Sequence, residues 1–482
     1  MHLKHIFRLI GIMLMFYSLS MLPPLIVNFC FHEHCHLAFL SSFAMVLILG
    51  VITWYCCRDA TKEIQIHDGF LMVVLFWALL CLCATLPFHF ILQGHAGWLD
   101  IFFECVSGLT TTGVSVFSYP EHLPKCLLYY RQQLQFLGGM SIIVLTVAIM
   151  PILGIGGTRL YRTETPGALK DTKFTPRITQ TGQALWSVYL ILTLLCIGFY
   201  KLAGTTWLEA VCETFATIST GGLMIHHDGI AFYQNPWIEW GAPLFMLLGS
   251  INFGTHYMAM KKKQIKLYWA EEEFRYFIGI IFGVVMIGSF IFFHQCHNLT
   301  ATHFRHLYFT VISLISSTGS TCVDYRDWPL GLLLILIIIS IFGGCHGSTT
   351  GGLKMIRVLI LSKFYRREMK MLLHPQLISP IKYNQKPLDN GILFSLFAFV
   401  LTFIALYLVL VFLMLLAGND FMSAIAMVTG TLSNSGIGFG DTAISFEHTN
   451  TLSKILSIIA MLAGRLEIFS LFIVFSAAYW KD

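Results

Sequence analysis

Charged residues are scarce in this chain. Asp, Glu, Lys and Arg make up 11% of its 482 residues, whereas soluble domains carry about 25%. Hydrophobic residues account for 56%, and the mean hydropathy is +0.73. These values exclude a soluble domain of useful size, and they indicate that most of the chain lies in a lipid bilayer.

Motifs of soluble catalysis and of nucleotide binding are also missing. The 13 cysteines form no C-x-x-C pair. The glycine-rich segment 343–352 precedes Lys354 but lacks the Gly-Lys-Ser/Thr order of a phosphate-binding loop. No motif pair has the order expected of an intramembrane serine protease. We therefore expect a protein that is not an enzyme, has no cofactor of its own, binds no nucleic acid and takes any nucleotide control from a partner.

Cysteine and histidine leave two weaker possibilities. The segment His32-Glu-His-Cys-His36 has the composition of a metal site, although neighbouring residues of a short loop are more often solvated. Most cysteines lie in or near apolar segments, which indicates buried free thiols. The sequence leaves a disulfide open among Cys30, Cys35, Cys126, Cys296 and Cys322.

Ten apolar segments are long enough to cross about 30 Å of hydrocarbon. They lie at 6–29, 38–57, 70–92, 134–153, 184–203, 238–258, 276–293, 331–361, 391–417 and 453–480. The first is too long for a cleaved signal sequence and has no small-residue cleavage site after it, so we expect it to be retained. The sequence thus predicts an all-α polytopic membrane protein with about ten transmembrane helices.

Basic residues concentrate on one side of these segments. They lie at Lys4 and Arg8, at Arg58 and Lys62, within 159–177 and 261–275, and from Lys354 to Lys386. Cytoplasmic loops carry the positive excess. We therefore expect both termini to be cytoplasmic.

Four stretches of the chain resemble one another, and each falls between two apolar segments on the outer side. They run over 98–113, 207–222, 304–319 and 421–436, at intervals of 109, 97 and 117 residues. Each begins with an aromatic residue and ends with a glycine that follows small hydroxyl or amide residues. Each is too short and polar to cross the bilayer, so we expect a re-entrant half-helix and a return loop that lines a water-filled cavity. Four such copies predict four structural repeats around one pore.

The residue types suit the coordination of a dehydrated cation. Backbone carbonyls can replace its water shell, and glycine permits the positive-φ conformations that let successive carbonyls point one way. Hydroxyls can add oxygens or brace the loop, and half-helix C-termini favour a cation. The absence of an acidic ring favours a monovalent cation over calcium. Ordinary helix packing by Thr-Gly and Ser-Gly pairs is the alternative, but four equivalent copies favour a pore.

Longer motifs carry a family resemblance. Segments 130–140, 160–167, 218–222, 343–352 and 464–469 are similar to Trk-type potassium uptake proteins, in the TrkH branch of the Trk/Ktr/HKT superfamily. The resemblance implies four pseudo-repeats, each a helix, a re-entrant pore helix with its filter loop, and a second helix, around one pore. Two N-terminal helices precede them. We expect these helices in 1–66 and the repeats in 67–157, 158–272, 273–386 (with a broken last helix) and 387–482.

The resemblance also implies the positions of a selectivity filter, at 110–114, 219–223, 316–320 and 433–437. The filter residues are Thr110, Thr111, Thr112, Gly113 and Val114, then Ser219, Thr220, Gly221 and Gly222, then Ser316, Ser317, Thr318 and Gly319, then Ser433, Asn434, Ser435 and Gly436. Those implied to hold potassium are Thr111, Thr112, Thr220, Gly221, Ser317, Thr318, Asn434 and Ser435.

The glycine-rich segment interrupts a predicted span. Its five glycines disfavour a helix, because each costs about 1 kcal/mol relative to alanine. By resemblance it is an intramembrane gating loop, and a kinked, tightly packed span is the alternative. The implied gate residues are Gly343, Gly344, Gly347, Ser348, Gly351 and Gly352, together with Arg465.

Arg465 lies near the middle of the last predicted span, where a cation costs about 2.5–3.5 kcal/mol. Below a cation filter its charge would repel the permeant ion until it moves, as is implied for the family's matching arginine. An ion pair to a neighbouring span is the alternative. Glu467, two positions on, lies on a different helix face.

The implied function is potassium uptake across a bacterial inner membrane. The implied partners are a second copy in a homodimer, a cytosolic TrkA-type nucleotide-binding ring and the surrounding lipid. An ion-coupled (proton or sodium) secondary transporter of another cation is the alternative, although it predicts paired inverted repeats. The chain departs from the family pattern at two positions. It has Ile437 where the family's fourth filter has proline, and it has His346 where the family's glycine-rich segment has a small residue.

Overall fold

The computed structural model describes residues 3–59, 66–140, 178–296, 300–325, 327–377, 379–438, 445–477 and 479–480. Helices dominate these ranges, which confirms the predicted all-α class. The helices are α1 Leu3–Ser18, α2 Pro23–Cys30, α3 His36–Cys56, α4 Ile66–Leu92, α5 Trp98–Leu109, α6 Lys125–Gly139, α7 Ile178–Leu202, α8 Trp207–Ile218, α9 Pro236–Ser250, α10 Phe253–Lys262, α11 Lys266–Ala270, α12 Glu272–Cys296, α13 Ala301–Ile315, α14 Leu330–Phe342, α15 Met355–Leu373, α16 Asn390–Leu416, α17 Phe421–Leu432, α18 Thr451–Arg465 and α19 Phe469–Phe475. Two short strands, β1 Lys382–Tyr383 and β2 Lys386–Pro387, pair antiparallel.

Long apolar helices surround the short ones. Within the described ranges, six helices are long and apolar enough to cross a membrane, or seven if α18 and α19 form one bent span. Large apolar side chains such as Leu37, Phe394 and Leu401 are 68–74% exposed, as expected of helix faces that meet lipid. The figure of about ten spans stays a prediction.

Several predicted spans are interrupted. The first passes through a 3-10 turn and restarts at Pro23, whose ring supplies no N–H to the preceding turn. The span predicted at 238–258 stops at Ser250, and Asn252 begins α10 by accepting the Gly254 N–H at 2.7 Å. The last bends by 111° between α18 and α19. Most of the span predicted at 134–153, the basic segment 159–177 and the motif 160–167 lie outside the described residues.

The four short helices α5, α8, α13 and α17, which we call the pore helices, are packed in a cycle. Each packs against spans of its own repeat. In addition, α8 contacts α6, α13 contacts α9, and α17 contacts α14, while α5 contacts α18. Every pore helix therefore rests on the last span of the preceding repeat, and the fourth repeat closes onto the first. This order brings the four loops that follow the pore helices to a common centre.

Candidate functional site

All four pore helices end in the same backbone turn. The residue two positions before each glycine is left-handed, with φ of 53° at Thr111, 51° at Thr220, 52° at Ser317 and 49° at Asn434. The next N–H donates to the carbonyl five residues back at 2.8–2.9 Å, in Thr112→Ser107, Gly221→Ala216, Thr318→Ser313 and Ser435→Gly430. Non-glycine residues rarely adopt positive φ. Four copies of an uncommon turn therefore indicate one geometry that is built four times.

The four glycines at the ends of these turns close the loops into a ring. Their φ values are 88°, 72°, 73° and 64° at Gly113, Gly222, Gly319 and Gly436. A Cβ at the first three would collide with the carbonyl oxygens of Gly221, Thr318 and Ser435 respectively, and a Cβ on Gly436 would lie 2.6 Å from the Thr112 oxygen. Each copy thus touches the next, and the fourth touches the first. Glycine is needed here for its left-handed backbone and for the lack of space.

Hydroxyl pairs brace three of the four loops. The side chains three and one positions before the glycine bond each other in Thr110–Thr112 at 2.7 Å, Ser316–Thr318 at 2.7 Å and Ser433–Ser435 at 3.3 Å. The second copy has Gly221 at one of these positions. The Gln135 side chain of α6 fills that place, and its Oε1 accepts the Leu223 N–H at 2.8 Å. No role for Gln135 was predicted from the sequence.

The filter positions predicted from the sequence are brought together, and all are buried except Gly113, Gly319 and Gly436, which are partly exposed. At the filter positions, all of which the structure describes, Thr111 Oγ1 and Asn434 Oδ1 are buried oxygens without a hydrogen-bond partner. Buried polar atoms are nearly always bonded to protein or ordered water. Ordered water is therefore the expected partner of both oxygens, and Asn434 Oδ1 lies against α18, where a Cβ on Gly464 would be 2.6 Å from it.

A buried ion pair that was also not predicted from the sequence links the first two copies. Arg131 Nε donates to Glu104 at 2.5 Å, and both side chains are at most 1% exposed. Glu104 also accepts the Val116 N–H at 2.9 Å, while Arg131 Nη1 donates to the Met224 carbonyl at 2.5 Å. The signal was present in the run Arg-Gln-Gln-Leu-Gln at 131–135, which is unusually polar for the edge of a predicted span.

A cavity of about 700 Å³ opens onto the ring. The four ring glycines, Arg131 and residues that follow the filter loops line it. All four repeats therefore contribute to one shared vestibule. Two acidic residues of α5, Asp100 and Glu104, are engaged in ion pairs, Asp100 with Lys454 at 2.7 Å and Glu104 with Arg131.

The glycine-rich segment 343–352 lies directly against the filter loops. Thr349 Oγ1 is 3.0 Å from Thr220 Oγ1 and bonds the Ile218 carbonyl at 3.2 Å. The Gly351 N–H donates to Ser317 Oγ at 2.8 Å, and a Cβ on Gly351 would lie 2.8 Å from that of Asn434. The segment therefore contacts the second, third and fourth copies.

Backbone bonds anchor the start of this segment. The Cys345 N–H donates to the Ser250 carbonyl at 2.9 Å, and the Phe253 N–H donates to the Gly347 carbonyl at 3.0 Å. The His346 N–H donates to Glu273 at 2.7 Å. The break between α9 and α10 thus supplies the surface on which the segment rests.

Arg465, the last residue of α18, reaches two carbonyls. Its Nη1 donates to the Thr349 carbonyl at 3.1 Å, and its Nη2 donates to the Gly138 carbonyl. Glu467 pairs instead with Arg357 at 2.6 Å. The guanidinium of Arg465 therefore connects the glycine-rich segment to the end of α6, which packs on the filter.

Comparisons with known proteins agree with this architecture. The TrkH family, described as cation transport protein, matches residues 35–482. The Trk system potassium uptake protein TrkH of Escherichia coli (strain K12) is 38% identical over 483 residues, which cover 100% of both chains. TrkG of the same strain is 36% identical over 481 residues, which cover 100% of this chain and 99% of that protein.

A solved structure gives the same answer. The crystal structure of the potassium transporter TrkH from Vibrio parahaemolyticus covers 100% of each chain with a TM-score of 0.90 and 35% identity. The resemblance inferred from the motifs is thus confirmed, and the chain belongs to the TrkH family of cation transport proteins.

Proposed function

We propose that this chain takes up potassium ions through a single pore formed by its four filter loops. The closed ring, in which each glycine meets the backbone of the next copy, carries this proposal. Membership of the TrkH family makes the chain a transporter rather than an enzyme, and its Escherichia coli relatives are named as potassium uptake proteins. Potassium is the transported substrate, not a resident cofactor.

The filter supplies oxygens to a dehydrated potassium ion. The ligands in this proposal belong to Thr111, Thr112, Thr220, Gly221, Ser317, Thr318, Asn434 and Ser435. Two observations support it: the hydroxyl pairs brace the loops, and the C-terminal ends of the pore helices lead into the ring. Helix C-termini carry a partial negative charge that favours a cation.

The glycine-rich segment and Arg465 form the gate in this proposal. The segment packs against three filter loops, and Arg465 holds the Thr349 carbonyl. The pore conducts once the segment leaves the filter and the arginine moves with it. Glycines with φ of 69°, 74° and 78° at Gly343, Gly347 and Gly352 give the segment a backbone that other residues adopt at a cost.

The chain is a multi-pass membrane protein that works with regulatory subunits of a Trk system. We propose the inner membrane as its location, with both termini cytoplasmic, and a homodimer that binds a TrkA-type nucleotide-binding ring. Repeats at 67–157, 158–272, 273–386 and 387–482, after the N-terminal unit 1–66, remain our division of the chain. Exposed Arg366 and Lys370 on α15 provide a basic surface for the TrkA-type partner. The same charges would attract anionic lipid.

The experiment that tests the transport proposal compares two glycines. Both Gly113 and Gly94 have positive φ, 88° and 90°, but a Cβ on Gly94 would meet no heavy atom of the described structure within 4 Å. Each is replaced by serine, and the variants are expressed with the cytosolic partner in cells that lack their own potassium uptake systems. Growth at low external potassium is the readout. We expect Gly94→Ser to rescue growth as the wild type does and Gly113→Ser to fail.

Two results would argue against this proposal. Wild-type protein that reaches the membrane together with its partner and still gives no rescue would contradict potassium uptake. Equal rescue by Gly113→Ser and Gly94→Ser would contradict conduction through the glycine ring, because it would show that the space beside Gly113 does not limit conduction.

A further inference from the structure

Three metal-ligand side chains meet where the loop between α2 and α3 touches the start of α6. Glu33 and Cys35 lie on this loop, and Cys126 is the second residue of α6. Their ligand atoms all lie within 4.8 Å of one another. Both cysteines are free thiols; Cys126 is fully buried, and the other two residues are partly buried. The ion-conduction site uses none of the three.

Backbone and amide hydrogen bonds fix these groups in place. The buried Asn28 accepts the Cys35 N–H on its side chain at 2.9 Å and the Glu33 N–H on its carbonyl at 3.0 Å. The Glu33 carboxylate accepts the N–H groups of Lys125 and Cys126 at 2.7 and 3.0 Å. The loop and the helix start are therefore held together before any ion binds.

We propose that Glu33, Cys35 and Cys126 bind one thiophilic divalent cation of the Zn²⁺ class. Zinc bonds thiolate sulfur at about 2.3 Å and carboxylate oxygen at about 2.0–2.2 Å, in a tetrahedron. Ligand atoms of such a tetrahedron are about 3.3–3.8 Å apart, which lies within the limit of 4.8 Å that these atoms meet. Each carboxylate oxygen of Glu33 keeps a second lone pair beside its N–H bond. A histidine of the loop (His32, His34 or His36) or a water takes the fourth position.

The charges favour this assignment. Metal binding releases the two thiol protons to solvent, and two thiolates and a carboxylate then place three negative charges around a doubly charged ion. Lys125 is the neighbouring cation, and its ammonium lies over the Phe31 ring, 4.2 Å from the centroid. A disulfide between the two cysteines would not account for the three histidines within five residues of sequence.

Binding at this position would clamp the N-terminal helices to α6. Arg131, which braces the filter, follows Cys126 by five residues, or about 7.5 Å of helix. The cation at Glu33, Cys35 and Cys126 is nevertheless distinct from the transported potassium ion, and it is held away from the filter.

The test uses the full chain, purified in detergent under reducing conditions and titrated with Zn²⁺ alone. Metal content is measured by mass spectrometry, and thiolate ligation by the charge-transfer absorption of the Co²⁺ form. We expect one ion per chain, thiolate absorption, and an affinity that falls more than about tenfold in Cys35→Ser, Cys126→Ser and Glu33→Gln. Cys30→Ser, an exposed cysteine at the end of α2, is the matched control and should bind as the wild type does.

Three outcomes would overturn the proposal. The first is unchanged binding in Cys35→Ser, which lies on the loop and carries the test alone if Cys126→Ser fails to fold. The second is a Co²⁺ form without thiolate absorption, which would assign the ion to the histidines. The third is a disulfide between Cys35 and Cys126 in protein taken from membranes without reductant.

Discussion

Replacement of Arg465 by alanine should raise potassium uptake in the absence of the cytosolic partner. In the proposed gate, the pore opens when the glycine-rich segment leaves the filter, and that movement would break the 3.1 Å bond from Arg465 to the Thr349 carbonyl. A hydrogen bond to a charged group contributes about 1.5–3 kcal/mol. Removal of this bond alone should therefore shift the gate toward the open state by about 10- to 150-fold, because each 1.4 kcal/mol is a factor of ten.

Arg465→Lys separates two ways in which the arginine could act. Lysine keeps the charge that repels a cation, but it lacks the planar fork with which the guanidinium reaches the carbonyls of both Thr349 and Gly138. If the charge is the barrier, Arg465→Lys should stay closed. If the bridge is the latch, Arg465→Lys should fall between the wild type and Arg465→Ala.

Proteoliposomes that contain each variant, with and without the partner, provide the measurement. Initial rates of potassium entry are compared at equal protein content, and sodium entry is measured in parallel to show that the filter is intact. A gate at Arg465 is refuted if Arg465→Ala transports no faster than the wild type without partner while its partner-stimulated rate is normal. In that case neither the charge nor the bridge would hold the pore closed.

Three further substitutions test the supports of the filter and the gate. Glu104→Gln leaves the buried Arg131 charge without its counter-charge and should lower the free energy of unfolding by about 3–5 kcal/mol, measured as a lower unfolding midpoint in detergent. Asp100→Asn, at the more exposed pair with Lys454, is the control and should cost less than about 1 kcal/mol. Equal losses in the two variants would refute the role of burial. Gln135→Leu removes the side-chain acceptor that holds the second filter loop and should lower the ratio of potassium to sodium uptake; an unchanged ratio would show that the loop holds its shape without this brace. Thr349→Val keeps the side-chain shape but removes the hydroxyl bonds to the filter, so it should raise uptake without the partner and leave that ratio unchanged; a normal basal rate would contradict a latch at this residue.

The ring could be predicted from the sequence because its constraint is local. Each copy needs a glycine after a short polar run, and that requirement recurs four times in the chain. The left-handed turn at Thr111, Thr220, Ser317 and Asn434 was not predictable, since none of these residues favours positive φ strongly except asparagine. Packing of each loop against the next copy imposes that turn.

The contacts of Gln135 and Arg131 with the second filter loop could not be predicted from the sequence for a different reason. Gln135 meets Leu223 across 88 residues, and Arg131 meets Met224 across 93. Periodicity and hydropathy describe neighbours along the chain, whereas these contacts depend on the way α6 packs against the pore helix of the next repeat. The breaks at Asn252 and near Glu467 were missed because a hydropathy window averages over a cap or a bend.

The four copies share one backbone conformation. The carbonyl of the residue after each ring glycine, however, is held by groups that differ between copies. Ser107 Oγ donates to the Val114 carbonyl at 2.5 Å, and Ser313 Oγ donates to the Ser320 carbonyl at 2.7 Å. In the second copy Gln135 Nε2 donates to the Leu223 carbonyl at 3.3 Å.

The fourth copy has no hydroxyl at this place. Gly430 replaces the serine, and a Cβ there would lie 3.2 Å from the Ile437 nitrogen and closer still to its carbonyl oxygen. The Ile437 backbone thus packs directly on α17, so steric contact does in this copy what a hydrogen bond does in the others. The support comes from the backbone of α17 and not from the side chain after the glycine, so we expect isoleucine at position 437, where the resemblance implies proline, to keep the ring geometry. We therefore expect selectivity in this chain to depend on the repeated turn, with the residues behind each turn free to differ as long as they hold the same carbonyl in place.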